Sequence, residues 1–217
     1  MIHARSKKQH LAVSLCLLAS AAATAVQASE PRGDITAIWR VQQLEFDYRG
    51  HRTLYSCEAL ERKIASVLTA VGASSGLKVQ LACRAGGLTN RAVAVITMAA
   101  PIEATPENVR AATTYSTEHL LVARLNKISL PTENDLGRFP AQWQTVALHK
   151  LRNIDGGDCE LLRALSTQVF PQLAVRAENR LSCPLASSAR MHPKFVVTAL
   201  VPAPDESVVY ARQSTAD

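Results

Sequence analysis

Apolar and polar residues alternate through "AIWRVQQLEFDY", at Ala37, Trp39 and Val41, and the alternation then changes phase to Leu44, Phe46 and Tyr48. A two-residue period marks a strand with one buried face, and the change of phase predicts a β-bulge near Gln42 and Gln43. From Cys57 the period lengthens. Leu60, Ile64, Val67, Leu68 and Val71 fall on one face of a helix. Glu58 and Glu61 in the first turns suit the helix dipole, and Gly72 with the "SSG" at residues 74–76 ends the helix. Alternation returns in "LKVQLAC", with Leu77, Val79, Leu81 and Cys83 on one face. "RAGGLTNR" then reads as a hairpin turn and "AVAVITMA" as a buried strand.

The same order recurs in the second half. "QWQTVALHKL" reads as a strand, and Asp158 as the N-cap of a helix opening at Cys159. Leu161, Leu162, Leu165 and Val169 carry its apolar face until Pro171, and "QLAVRAENRLSC" and "KFVVTALVP" supply two more strands. Trp39 precedes Cys57 by 18 residues, and Trp143 precedes Cys159 by 16. Cys57 and Cys83 are 26 apart, Cys159 and Cys183 are 24 apart, and Pro101 and Pro202 follow the second cysteine by 18 and 19. The expected fold is α+β: a tandem duplication of a disulfide-stapled βαββ unit, its helices packed on one side of a mainly antiparallel or mixed sheet. The units are residues 29–106 and 139–204. In the connector, 107–138, Leu120, Leu121, Ala123, Leu125 and Ile128 fit a helix or a strand, and the helix is favoured. "LPTENDLGRFP" reads as a turn with Thr132 capping a short helical piece, and residues 205–217 as a polar, flexible tail.

The first residues read as a targeting segment. Arg5, Lys7 and Lys8 precede "LAVSLCLLASAAATAV", and the segment ends in Val26, Gln27 and Ala28. That is the pattern of a signal peptide, 1–28, cleaved after Ala28. The stretch is Ala-rich and short for a membrane helix, so no stable membrane span is expected after cleavage. Cys16 follows Leu15 inside the apolar core, where a lipid-attachment signal requires a small residue. Cleavage removes three basic residues and no acidic one, so the net charge of +6 falls to +3. Such a mild charge, on a periplasmic or secreted protein, argues against a nucleic-acid partner.

Four cysteines then remain: Cys57, Cys83, Cys159 and Cys183. In an oxidising compartment an even set reads as disulfides. A helix that runs back along a sheet starts at the edge where the following strand ends, and this favours Cys57–Cys83 and Cys159–Cys183 over pairings between the units. No Cys-x-x-Cys occurs, which speaks against thiol–disulfide exchange.

The remaining candidates for chemistry are sparse. His51, His119, His149 and His192 share no local ligand motif. "GASSG", residues 72–76, has the outer spacing of a hydrolase elbow but follows a helix instead of a strand. "AGGL" and "DGGD" lack the further glycines and the lysine of a phosphate loop. No catalytic, cofactor-binding or metal residue is assigned, and no cofactor is expected. "HKLR", residues 149–152, with Arg176, Arg180, Arg190 and Lys194, is a candidate patch for an anionic envelope polymer or an acidic protein surface, although a solvated face is its commoner use. Trp39 and Trp143, at matched positions, read as packing residues. The expected function is an exported, non-catalytic binding or structural module of the cell envelope. Its partner would be an unidentified envelope component, protein or anionic polymer. The alternative is an exported hydrolase whose site is assembled from loops.

Overall fold

The computed structural model describes residues 35–83, 87–178, 181, 183 and 194–203, so the expected signal peptide and tail lie outside the described residues. In chain order the elements are β1 (Ile35–Arg49), β2 (Tyr55–Ser56), α1 (Cys57–Ala70), β3 (Lys78–Ala82), β4 (Leu88–Thr89) and β5 (Arg91–Glu103). Then follow α2 (Pro106–Ala112), α3 (Thr117–Leu125), β6 (Arg138–Ala147), α4 (Cys159–Gln168), β7 (Val175–Ala177) and β8 (Val196–Pro202). Six strands form one sheet in the order β3-β5-β1-β6-β8-β7, and β2 pairs with β4 apart from it. Every described pairing is antiparallel.

β1 carries no bulge. Its ladder with β5 runs unbroken from Ala37 opposite Glu103 to Arg49 opposite Arg91. The change of phase in its sequence is a change of face. Ala37, with Ile35 and Trp39, packs with Phe139, Ala141 and Leu200 in a small cluster. Leu44, Phe46 and Tyr48 have the opposite parity and enter the main core. β6 repeats the manoeuvre: Phe139, Ala141 and Trp143 join the small cluster, while Val146 packs against the main core and Leu148 lies in it. The strand read in "QWQTVALHKL" stops at Ala147, because Leu148–Lys150 turn into a 3₁₀ helix.

Both long helices bury their apolar faces in the main core. Leu60, Ile64, Val67 and Leu68 of α1 and Leu161, Leu162 and Leu165 of α4 meet Ile96 and Met98 of β5 and Val197 and Ala199 of β8. α1 ends in a Schellman motif: Ala73 N–H donates to Leu68 O (3.0 Å) and Gly72 N–H to Thr69 O (3.1 Å), with Gly72 at φ 100°. Each helix opens on a cysteine. Cys57 is bonded to Cys83 and Cys159 to Cys183, with Cα atoms 6.3 and 5.7 Å apart. Each bridge closes a loop whose constraint is worth about 3 kcal/mol in the chain-entropy picture.

β1 and β6 meet only over residues 35–38, which face residues 141–138. Farther along β1, α4 covers the flank. Glu160 accepts from the backbone N–H groups of His51 (2.8 Å) and Arg52 (3.2 Å). Gln168 imitates a strand, accepting from Asp47 N–H (3.0 Å) and donating to Asp47 O (2.9 Å). An open strand edge is a template for pairing with other chains, and α4 blunts this one.

The connector holds two capped helices. Thr105 caps α2, which starts on Pro106, and Ser116 caps α3. Among the described residues no helix is long and apolar enough to cross a membrane.

Candidate functional site

The strongest polar cluster lies between the N-terminal ends of α1 and α4. Asp158 is only 1% exposed. Its side chain does not cap α4, which corrects the expectation from sequence. The carboxylate instead accepts from the Tyr55 hydroxyl (2.7 Å), from Lys63 Nζ (2.6 Å) and from Asp155 N–H (2.8 Å). Local propensity favours an Asp at a helix start, but a buried carboxylate is held by its strongest donors, and the Lys63 ammonium across the junction is one. Lys63 also donates to Asn153 O (2.7 Å), Ser66 to Asn153 Oδ1 (2.8 Å), and Thr53 to Gly157 O (2.8 Å). These bonds tie residues 51–66 to residues 153–160.

Electrostatics follow from burial. Burial raises the Tyr55 phenol far above its ordinary pKa of 10.0, and the hydrogen bond to the Asp158 carboxylate adds to the effect. Tyr48, whose ring meets that of Tyr55 edge-on at 5.6 Å, is pushed up to about 12, again chiefly by burial. The phenol stays protonated and its proton is committed to Asp158. This geometry fixes elements in place. It also explains the "DGGD" segment: Asp155 Oδ1 already takes the Gly157 N–H (2.7 Å), so that amide is not free for a phosphate.

A second place stands out on the surface. α3 buries only Ala123, and its other residues are exposed. At about 100° per residue, Leu121 and Leu125 lie two positions either side of Ala123, about 160° round the helix from it. They point away from the fold, 54% and 73% exposed. Leu120, Val122 and Ile128 are exposed beside them. The start of α3 flanks an open groove of about 410 Å³ lined by Gln43, Glu45, Val95, Glu118 and His119.

The other residues singled out in the sequence disperse. His149 Nδ1 accepts from Phe195 N–H (3.2 Å), and Arg176 stacks on Trp143 at 4.2 Å. Both are thus engaged in internal contacts. Arg180, Arg190 and His192 lie outside the described residues. Trp39 stacks on Phe139 (4.7 Å), and Trp143 Nε1 donates to Glu103 (3.2 Å). Ser74 of "GASSG" sits in the loop after α1, its N–H bonded to Ala99 O (2.9 Å). Among the described residues no cluster of three or more His, Cys, Asp or Glu side chains is arranged to hold a metal.

Comparison with protein-family models, curated proteins and solved structures returns no match. Chemistry on the surface is therefore the guide to function.

Sequence reasoning missed both places. For the junction, the available signal was Lys63, a charged residue four positions before Val67 on the margin of a buried helix face. For α3, the signal was the number of large apolar residues around a single small one, Ala123, which leaves little room for all of them in one core.

Proposed function

We propose that this chain is an exported, non-catalytic binding module of the cell envelope that docks a protein partner on α3. One observation carries the reading: Leu121 and Leu125 face outward, opposite the residue that anchors their helix. A helix of nine residues is marginal in water on its own, and a contiguous apolar surface marks an interaction site. Such a surface suits a protein better than an anionic polymer. The two disulfides suggest an oxidising, extracytoplasmic compartment, which supports export.

The two halves are read as a tandem duplication of a βαββ unit. Support comes from the strand order, which runs second-last-first in the first half and first-last-second in the second if β2 and β4 are set aside. It comes also from the β1–β6 register. Trp143 lies 104 residues after Trp39, and the same shift carries Ile35 onto Phe139 and Ala37 onto Ala141. The facing pairs Ile35–Ala141 and Ala37–Phe139 then exchange with one another, as a two-fold relation requires.

The test of the binding reading is Leu121→Asp with Leu125→Asp in the exported protein. The melting temperature should hold, and the protein partners cross-linked to the wild type in envelope fractions should vanish. Retention of every partner by the folded double variant would refute it. The competing reading, an exported hydrolase, draws on the groove of Glu45, Glu118 and His119. A hydrolytic activity lost in Glu118→Gln at unchanged stability would put that reading first.

A further inference from the structure

The buried junction and the two disulfides share one place. Tyr55 lies two residues before Cys57, and Asp158 immediately precedes Cys159. Each partner of the 2.7 Å Tyr55–Asp158 hydrogen bond is therefore tethered close by. Cys57–Cys83 ties one to the end of β3, and Cys159–Cys183 ties the other to the segment after β7. The junction is sensitive to alignment. Hydrogen bonds to oxygen fade beyond about 3.2 Å, and a carboxylate with 1% exposure cannot turn to water for replacement donors. Displacing either tether leaves Asp158 buried and short of partners, a state far costlier than an exposed broken ion pair.

We propose that the junction is an oxidation-gated latch: the Tyr55–Asp158–Lys63 contact closes only when Cys57–Cys83 and Cys159–Cys183 are both formed. Each bridge joins two thiols in one S–S bond and releases two protons. The two electrons pass to a disulfide-bearing oxidant, which leaves as a dithiol, and a dithiol reductant reverses the step. A chain with free thiols keeps the ends of α1 and α4 apart, and the latch closes on oxidation. The proposal rests on the disulfides and the junction, and is independent of what α3 binds.

Tyr55→Phe tests it, because it removes only the phenol oxygen. In the oxidised protein it should shift the unfolding equilibrium constant roughly tenfold. In full-length protein carrying Cys57→Ala with Cys83→Ala, or Cys159→Ala with Cys183→Ala, the shift should fall below about twofold, since the contact is already open. An equal shift in all three backgrounds overturns the latch. Where a bridge-less variant fails to fold, the wild type treated with dithiothreitol under native conditions decides, read by amide hydrogen exchange. The amides of His51, Arg52 and Asp155, bonded to Glu160 and Asp158, should lose protection as a bridge opens, ahead of the β1–β5 ladder. Protection that survives full reduction, or that is lost only together with the ladder, overturns it as well.

Discussion

Gly72 abuts Leu200: a Cβ on Gly72 would stand 2.8 Å from the Leu200 carbonyl oxygen. Its φ of 100° is a second reason for glycine there. The end of α1 and the backbone of β8 meet at a point where no side chain fits. Gly72→Ala should cost about 2 kcal/mol from the backbone conformation alone, with the clash in addition. Urea unfolding would measure it, and an unchanged midpoint would show that the helix end can move.

Lys63→Met should be severe, about 3 kcal/mol or more, because it strands the buried Asp158 carboxylate. Lys63→Met with Asp158→Leu should recover at least half of that loss, since no charge is then left unpaired. A double-mutant cycle on unfolding free energies provides the check. Additive penalties would mean that the two side chains do not depend on one another.

Alkali should destabilise the protein before it reaches the native phenols. An unfolded tyrosine loses its proton near 10.0, whereas Tyr48 holds its own to about 12 and Tyr55 for longer. Between those values the folded state binds more protons than the unfolded one, so stability falls as pH rises. Below the unfolded value the contribution is fully present. Urea midpoints taken from neutral pH to about pH 11 should decline, and Tyr48→Phe should flatten the decline.

Gln168→Ala should cost about 1–2 kcal/mol, removing both side-chain bonds to the Asp47 backbone. The Asp47 amide should then exchange faster, while its neighbours on the β5 side stay protected. Unchanged exchange at Asp47 would show that α4 shields that edge by packing alone.

Much of this was legible in the sequence, and the failures have physical causes. The α1 face of Leu60, Ile64, Val67 and Leu68, and the pairing of each helix-start cysteine with the next cysteine along the chain, follow from local periodicity and chain direction, which tertiary packing left intact, although β7 ends at Ala177, short of Cys183. The bulge at Gln42 and Gln43 was misread because a phase change in alternation has two solutions. A strand can insert a residue, or it can serve two faces in succession, and only the partners of Ala37 and Leu44 decide between them. Asp158 was misread because an N-cap is a local preference, whereas its donor Lys63 lies 95 residues away. α3 was assigned its helix, but periodicity records which residues share a face and not whether that face looks inward.

The short contact between β1 and β6 has a consequence for the protein at high concentration. It spans four facing pairs, and the β6 of another molecule offers β1 the same partners as its own. The residues between β5 and β6 form a long tether carrying two helices, and opening it also parts the core shared by α1 and α4 and the Tyr55–Asp158–Lys63 junction. Such a chain is built to trade halves. A domain-swapped dimer, in which the seam, the shared core and the Tyr55–Asp158 junction all re-form between two molecules, is the aggregate this architecture would form first.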